Sequence, residues 1–460
     1  SFIVVMNNNV KRLSTAGQNH GQPKNGKVPK ACVLVLGDIG RSPRMQYHAL
    51  SLAKEGYFVD LIGYQGSRPH KQIVDNEKIN LKYMKHVNPN IPYLPKLIMY
   101  IIKTWIRCIS ILINLPKLSP PDILLVQNPP SIPTLPICWL YCLVFRSKFI
   151  IDWHNYGFTI LSFSVGERHL LVKMTYYIEK FFSRRSSVNL CVTKAMREDL
   201  LHNWKASAVT LYDKPAEIFR SVSISEKHDL FSQLSSDYSS IFGSSGPDKT
   251  MFTERFADGR INLCEDRPGL VVSSTSWTED EDFTILLDAL QDYEEARDTS
   301  LNSYPPLIVI ITGKGPMKEY YCQVIQEREW RHVQLCTPWL AAEDYPLLLA
   351  CAEVGVCLHS STSGLDLPMK VLDMFGCLLP VCALRFNCIE ELVKPDQTGF
   401  LFSNSAELSD LLKKRFYKFP HNEEENRLSE TLRQNLNNFQ RIRWHDQWRV
   451  IALPLFDALL

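Results

Sequence analysis

Residues 31–55, ACVLVLGDIGRSPRMQYHALSLAKE, decide the fold class. Ala31–Leu36 is a β-rich apolar run that stops at Gly37. Met45–Glu55 then shows helical spacing and ends before Gly56, a residue suited to closing a helix. Strand, glycine turn and helix make the first half of a parallel βαβ unit. The same alternation continues outward through strands expected at Phe58–Gly63, Asp122–Val126, Lys148–Asp152 and Val188–Val192, with a helix over Lys194–Asn203. It pauses in the polar, Ser-rich stretch Ser221–Gly259 and then resumes. Gly269–Ser273, Pro306–Thr312, His332–Leu335 and Val354–Leu358 read as strands, and Asp282–Leu290, Met317–Glu329, Ala341–Cys351 and Lys370–Gly376 as helical stretches.

These patterns predict an α/β chain of two doubly wound domains facing a cleft. The expected divisions are a disordered lead over 1–29, a first domain over 30–213, a linker or insertion over 214–261, a second domain over 262–415, and C-terminal helices over 416–460. Leu428–Leu460, with Trp444 and Trp448, is expected to cross back to the first domain.

The 460 residues are 45% hydrophobic and 22% charged, which excludes a fibrous repeat, a disordered chain and a small disulfide scaffold. Lys and Arg number 51 against 49 Asp and Glu, so no strong field favours nucleic acid. The 13 cysteines show neither a CxxC pair nor zinc-ligand spacing, and no Asn-x-Ser/Thr sequon occurs; both fit reduced thiols on a cytosolic surface. No secretory signal and no full span is expected in the polar N-terminus.

The longest apolar run, Leu94–Leu115, is interrupted by Lys96, Lys103 and Arg107. Two readings stay open for it: a basic helix lying in a bilayer interface, or a core helix with snorkelling bases. Ile132–Phe145 is too short to span a bilayer and reads as a buried helix.

Ligands of open parallel sheets bind beyond the carboxyl ends of the strands, so the junction loops are the candidate sites. Gly37-Asp38-Ile39-Gly40-Arg41-Ser42-Pro43-Arg44 joins two glycines, a helix start and two arginines, a combination suited to a phosphate. Asp152-Trp153-His154-Asn155-Tyr156-Gly157 gathers a carboxylate, an imidazole and two rings. Asp152 or His154 can accept a proton, and Trp153 and Tyr156 can stack on sugar faces. Ser276 and Thr278 lie in a hydroxyl-rich loop before an acidic helix start, and Gly313-Lys314-Gly315-Pro316 is a strand-to-helix loop whose N–H groups fit a nucleotide. In Ser360–Gly376, Lys370 can neutralise a diphosphate, Asp373 can bond ribose hydroxyls, and Asp366 sits in the preceding loop. The acidic run Glu279–Asp282 suits the first turn of a helix, and no resident metal is expected.

The Gly313–Pro316 loop and the segment running into Lys370 and Asp373 resemble the donor half of GT-B glycosyltransferases, which have two Rossmann-like domains. The longer segments GDIGRSPRMQYHALSLA, IDWHNYG, VTKAMREDL, YDKPA, SSTSWTEDEDF and SGLDLPMKVLDMFG resemble, more specifically, the chitobiosyldiphosphodolichol beta-mannosyltransferases, over residues 31–415.

The resemblance implies an inverting transfer of mannose from GDP-mannose to GlcNAc2-diphosphate-dolichol. The new bond is β1,4, in an early step of N-glycan precursor assembly on the cytosolic face of the endoplasmic reticulum membrane. Other mannosyltransferases of that assembly are implied partners, and Mg2+ is at most an ion accompanying GDP. Members usually carry an N-terminal transmembrane anchor; none is expected in this sequence, and Leu94–Leu115 is the candidate substitute.

Under this reading Asp152 or His154 is the base, with Asp38 the alternative. Ser276, Thr278, Gly313, Lys314, Gly315, Lys370, Asp373 and Asp366 bind the donor. Gly37, Gly40, Arg41, Arg44, Trp153 and Tyr156 bind the acceptor. Related donor sites hold two Glu with seven residues between them. Here that spacing from Asp373 falls on Leu365, which leaves open a catalytically silent scaffold subunit as the rival reading.

Overall fold

The computed structural model describes residues 28–85, 96–243, 246, 248–300, 303–341 and 343–460. All but the last two residues of the expected lead over 1–29, and the start of the Leu94–Leu115 run, lie outside them. The chain divides into two compact units, each built on one parallel sheet.

The first unit contains the chain up to Cys191, with Asp199–Val209 and Gln447–Leu460. Its strands are β1 (Lys30–Asp38), β2 (Phe58–Tyr64), β3 (Ile79–Met84), β4 (Ile123–Asn128), β5 (Lys148–Trp153), β6 (Val188–Cys191) and β7 (Val209–Thr210). They are ordered β3-β2-β1-β4-β5-β6-β7, so the winding reverses between β1 and β4. Val33, Leu34, Leu124, Leu125, Ile150 and Ile151 have no exposed surface, as expected of a parallel sheet covered on both faces. Strand β3 escaped the sequence pattern because it is an edge, with Asn80, Lys82 and Tyr83 turned away from the core.

Two apolar helices carry exposed apolar sides. In the helix Thr134–Phe145, Leu135, Cys138, Tyr141 and Cys142 are buried, but Leu140, Leu143 and Val144 are exposed, so it is not the buried helix its composition suggests. In the helix Lys96–Asn114, Ile111 is buried while Trp105, Ile109, Leu112 and Ile113 face outward. Among the described residues no helix is long and apolar enough to cross a membrane.

The second unit contains Val192–Glu198 and Thr210–Asp446. A short hairpin of β8 (Thr253–Arg255) and β9 (Ile261–Leu263) precedes the main strands. These are β10 (Gly269–Ser274), β11 (Leu307–Thr312), β12 (Val333–Cys336), β13 (Val354–Cys357), β14 (Val381–Leu384) and β15 (Gly399–Phe402), ordered β12-β11-β10-β13-β14-β15. The winding reverses between β10 and β13.

The polar stretch expected to be a linker instead holds the helix Ile224–Asp237. Its Leu230, Phe231 and Leu234 enter the core of this unit. The overlooked signal is Ser223-Ile224-Ser225-Glu226, a capping box in which Ser223 and Glu226 bond reciprocally. The helix Glu423–Gln440 closes the same unit: Gln440 Nε2 donates to the carbonyls of Phe375 and Gly376. Beyond it, Trp448 and Phe456 are fully buried, and the indole N–H of Trp448 donates to His48 Nδ1 at 2.9 Å within the first unit.

Candidate active site

In the first unit the helix that follows β1, Pro43–Lys54, carries Arg44 and His48 to the end of β5. At the end of β5 the Asp152 carboxylate has no exposed surface. Arg44 grips it with two parallel bonds, Nε to Oδ2 and Nη2 to Oδ1, both 2.8 Å. His48 Nε2 lies 3.2 Å and His154 Nε2 2.9 Å from Oδ2. Burial opposes ionisation, but Arg44 and the two imidazoles outweigh it and hold the carboxyl well below the usual carboxylate range.

The protons follow from the partners. Burial lowers the His48 pKa, and Nδ1 accepts from Trp448, so the neutral ring carries its proton on Nε2 and donates to Asp152. His154 Nε2 faces the same carboxylate and donates too, which leaves Nδ1 of the neutral ring as a lone-pair acceptor. The His154 side chain is 23% exposed, whereas that of Asp152 is fully enclosed. The arrangement is an aspartate–histidine pair with the imidazole outermost, a geometry that orients a general base.

The loop is held from behind. The His154 N–H donates to Asn128 O at 2.9 Å, and Asn128 Nδ2 donates to the buried Glu179 at 2.9 Å. Glu179 also accepts from the N–H groups of Gly157 (2.7 Å) and Phe158 (3.3 Å), at the start of the helix Gly157–Val165. A Cβ at Gly157 would stand 2.9 Å from Glu179 Oε1, which accounts for glycine there. Burial pushes Glu179 up to about 7, against the pull of these donors.

Several expected roles change. Arg44 is committed to Asp152 and buried, so it holds the base network rather than offering its fork to an acceptor. Trp153 and Tyr156 are core residues. Trp153 donates to Asn189, and Tyr156 stacks on Trp204 at 4.6 Å and donates to Asp199; a ring without an exposed face gives a sugar nothing to stack on. Asp38 accepts from the N–H groups of Gly40 and Ser67 (2.9 and 2.7 Å) and fixes the turn. Burial raises its pKa, but those N–H groups and Arg41 lower it further, which makes it a weak base. A Cβ on Gly40 would meet Ser67 O at 2.3 Å, so this glycine serves the close approach of those two loops. Nothing crowds Gly37 so tightly. Arg41, with a largely exposed side chain, is the cation of this loop turned to solvent. Sequence reasoning missed His48, Trp448, Asn128 and Glu179.

In the second unit the loops after β10 and β11 lie against each other. The Thr275 N–H donates to Thr312 O, and the Met317 N–H donates to Trp277 O. A Cβ on Gly313 would stand 1.8 Å from Thr275 O, and one on Gly315 1.7 Å from Ser276 O, so both positions require glycine. Buried Glu281 ties this loop to the next: it accepts from Thr275 Oγ1 (2.6 Å) and the Ser276 N–H (3.0 Å) and pairs with Lys370. The N–H of Ser276, a residue expected to bind the donor, is therefore taken by Glu281, as is the Lys370 ammonium.

Asp366 belongs to a small network. It accepts from Ser361, and His359 stands 3.9 Å from it and 3.5 Å from Asp280. Asp373 is half-buried one turn from Lys370; burial pushes its pKa up to about 8 while Lys370 works against the shift. Lys314 lies over the exposed ring of Trp339, 3.9 Å from its centroid. Thr278 is half-buried, and its carbonyl accepts the Glu281 N–H. A cavity of about 400 Å³ beside Lys30, Phe58 and Ser119 lies at the opposite, amino ends of β1 and β2.

The model of the glycosyl transferases group 1 family matches residues 257–435. The human chitobiosyldiphosphodolichol beta-mannosyltransferase is 46% identical over 428 residues, 92% of this chain and 91% of its own. The chain belongs to the chitobiosyldiphosphodolichol beta-mannosyltransferase family. An Arabidopsis thaliana relative, the UDP-glycosyltransferase TURAN, is 44% identical over 95% of this chain and 98% of its own. Among solved structures, Anabaena HepE in complex with UDP and glucose superposes with a TM-score of 0.60 at 15% identity, covering 94% of this chain and all of that one. This likeness establishes the GT-B fold class read from the sequence. The family membership makes the chain a glycosyltransferase of the mannosyltransferase kind.

Proposed function

We propose that the chain transfers mannose from GDP-mannose to the outer GlcNAc of a dolichol-diphosphate-linked chitobiose. The new linkage is β1,4 and forms with inversion at the cytosolic face of the endoplasmic reticulum. The observation that carries the chemistry is the Asp152–His154 pair. Inversion needs a base to take the proton of the attacking hydroxyl, and His154 Nδ1 has the lone pair, the exposure and an ionised aspartate behind it. Asp152 stabilises the imidazolium that forms and keeps the ring oriented.

On the donor side, Lys370 and the helix start at Met369 supply positive potential for the departing diphosphate. The tightly apposed Gly313–Gly315 loop lets the backbone approach the nucleotide. Asp373 serves the ribose, and Arg41 is the solvent-turned cation for the acceptor's diphosphate. No step is routed through a metal, and Mg2+ acts only as a counter-ion of free GDP-mannose.

The acceptor reading is supported by the name of the human relative and the donor reading by the motif resemblance. The TURAN name points instead to a UDP-sugar, so the deciding assay is a donor competition. Purified protein is mixed with a short-chain lipid-diphosphate-chitobiose and, in parallel, GDP-mannose, UDP-glucose or UDP-GlcNAc, with and without EDTA. A β1,4-mannosyl trisaccharide from GDP-mannose alone, insensitive to EDTA, is expected. Product from a UDP-sugar would replace the donor assignment. GDP binding without product would favour a silent scaffold.

A further inference from the structure

About half of the large apolar side chains exposed among the described residues fall on four helices of the first unit: Lys96–Asn114, Thr134–Phe145, Gly157–Val165 and Leu170–Ser183. These helices make up about an eighth of the chain. They form one connected group, because Thr134–Phe145 packs against Lys96–Asn114 and Leu170–Ser183, and the latter packs against Gly157–Val165. Trp105 is 64% exposed, Val144 66%, and Phe163 and Tyr177 each 67%. Scattered single hydrophobics are normal on a soluble surface, whereas a cluster of this extent marks an interaction face.

Charge identifies the occupant. Among the described side chains of the four helices, Lys103, Arg107, Lys173 and Lys180 are basic and one is acidic, and that acid, Glu179, is buried beneath the His154 loop. Arg146, Arg184 and Arg185 extend the basic fringe, all exposed. An aromatic and aliphatic centre fringed by cations complements an anionic bilayer, whose headgroups take the bases and whose acyl boundary takes the rings. No helix among the described residues can cross the membrane, so the contact is one of lying on the surface.

We propose that this four-helix face seats the first unit on an anionic phospholipid bilayer. The inference deepens the reading of a lipid-linked acceptor and rests on it for the acceptor's position. The helix Gly157–Val165 starts three residues after His154 and ends on the face, and nine residues of helix span about 13 Å. Seating therefore brings the base close to where a membrane-held diphosphate emerges.

Flotation of the full chain tests this, using acceptor-free vesicles of phosphatidylcholine alone or mixed with phosphatidylserine. The wild type is expected to float with the mixed vesicles and to be weakened by salt. Trp105→Glu with Val144→Glu is expected to cut the bound fraction about tenfold or more, and Arg185→Ala to cut it about fivefold. Melting temperature and turnover of a short-chain acceptor in solution should not change. Should the double variant fail to fold, brominated-lipid quenching decides on intact protein: emission of the wild type is quenched, and Trp105→Phe loses much of that quenching.

A wild type that stays with the soluble fraction, or a double variant that floats equally well, would overturn the proposal. So would a wild-type dimer that the double variant dissolves without any vesicle binding, because the face would then belong to a protein contact. Loss of turnover with intact flotation would count against the mannosyl-transfer reading and leave the face standing.

Discussion

Asp152 and Glu281 are both buried carboxylates at strand-end loops, one in each unit, yet they hold opposite kinds of partner. Asp152 faces a bidentate guanidinium and two imidazoles, partners that come from a helix start, mid-helix and its own loop. Glu281 faces a hydroxyl, one backbone N–H and a single flexible lysine. Asp152 is thus fixed from several directions, which in the proposed function orients His154 as the base. In the proposed function Glu281 occupies donors that an incoming diphosphate would need, among them an ammonium that can turn to a new anion. A rigid network suits proton transfer, where orientation decides the rate; an exchangeable pair suits a nucleotide that must enter and leave.

The comparison breaks most sharply at His154. His154→Ala is expected to lower kcat by about 10²–10⁴-fold with little change in KM for the donor, read in steady-state kinetics. A KM effect instead would make His154 a binding residue. Arg44→Met should be the most costly change for folding, about 3–5 kcal/mol in urea unfolding, because it leaves Asp152 buried without its principal counter-charge. Lys370→Met is expected to reduce kcat/KM for the donor by about 10²-fold and to lower urea stability by less than Arg44→Met does, because buried Glu281 loses its ammonium but keeps two other donors. Glu281→Gln sharpens the contrast. If the pair is exchangeable, KM for GDP-mannose changes by no more than about tenfold, and it falls if Glu281 competes with the diphosphate.

A smaller effect is expected at Glu179, whose pKa is raised from the ordinary value to about 7 by burial. The folded state favours the protonated carboxyl. Its contribution is therefore complete below the unfolded pKa and is lost as pH rises through about 7. Melting temperature should decline between pH 5 and about 8 in the wild type and decline less in Glu179→Gln, which cannot ionise. Trp448→Phe removes the indole N–H that donates to His48 Nδ1. It should lower stability by about 1–3 kcal/mol and kcat a few-fold, and an equal loss in a His154→Ala background would show that Trp448 serves packing only.

Much of the fold was legible in the sequence, because strand, glycine turn and helix are local signals. ACVLVL–GDIG and PLIVIIT–GKG place their loops without help from distant residues. Misreadings came where local polarity hid a packed element. Ile224–Asp237 looked like linker because its apolar positions are few, although its capping box stood in the sequence. Edge strand β3 was overlooked because its outer side is polar.

By itself the sequence determined two parallel α/β units, glycines at the strand ends, and the grouping of Asp152 with His154 and of Lys370 with Asp373. Only the tertiary structure decided what these groups do. Burial and partners drawn from far along the chain set their charge and exposure: Arg44 lies 108 residues from Asp152, and Trp448 lies 400 residues from His48. A side chain's protonation and reach depend on which groups the fold brings within about 3 Å, and spacing along the chain does not encode that distance.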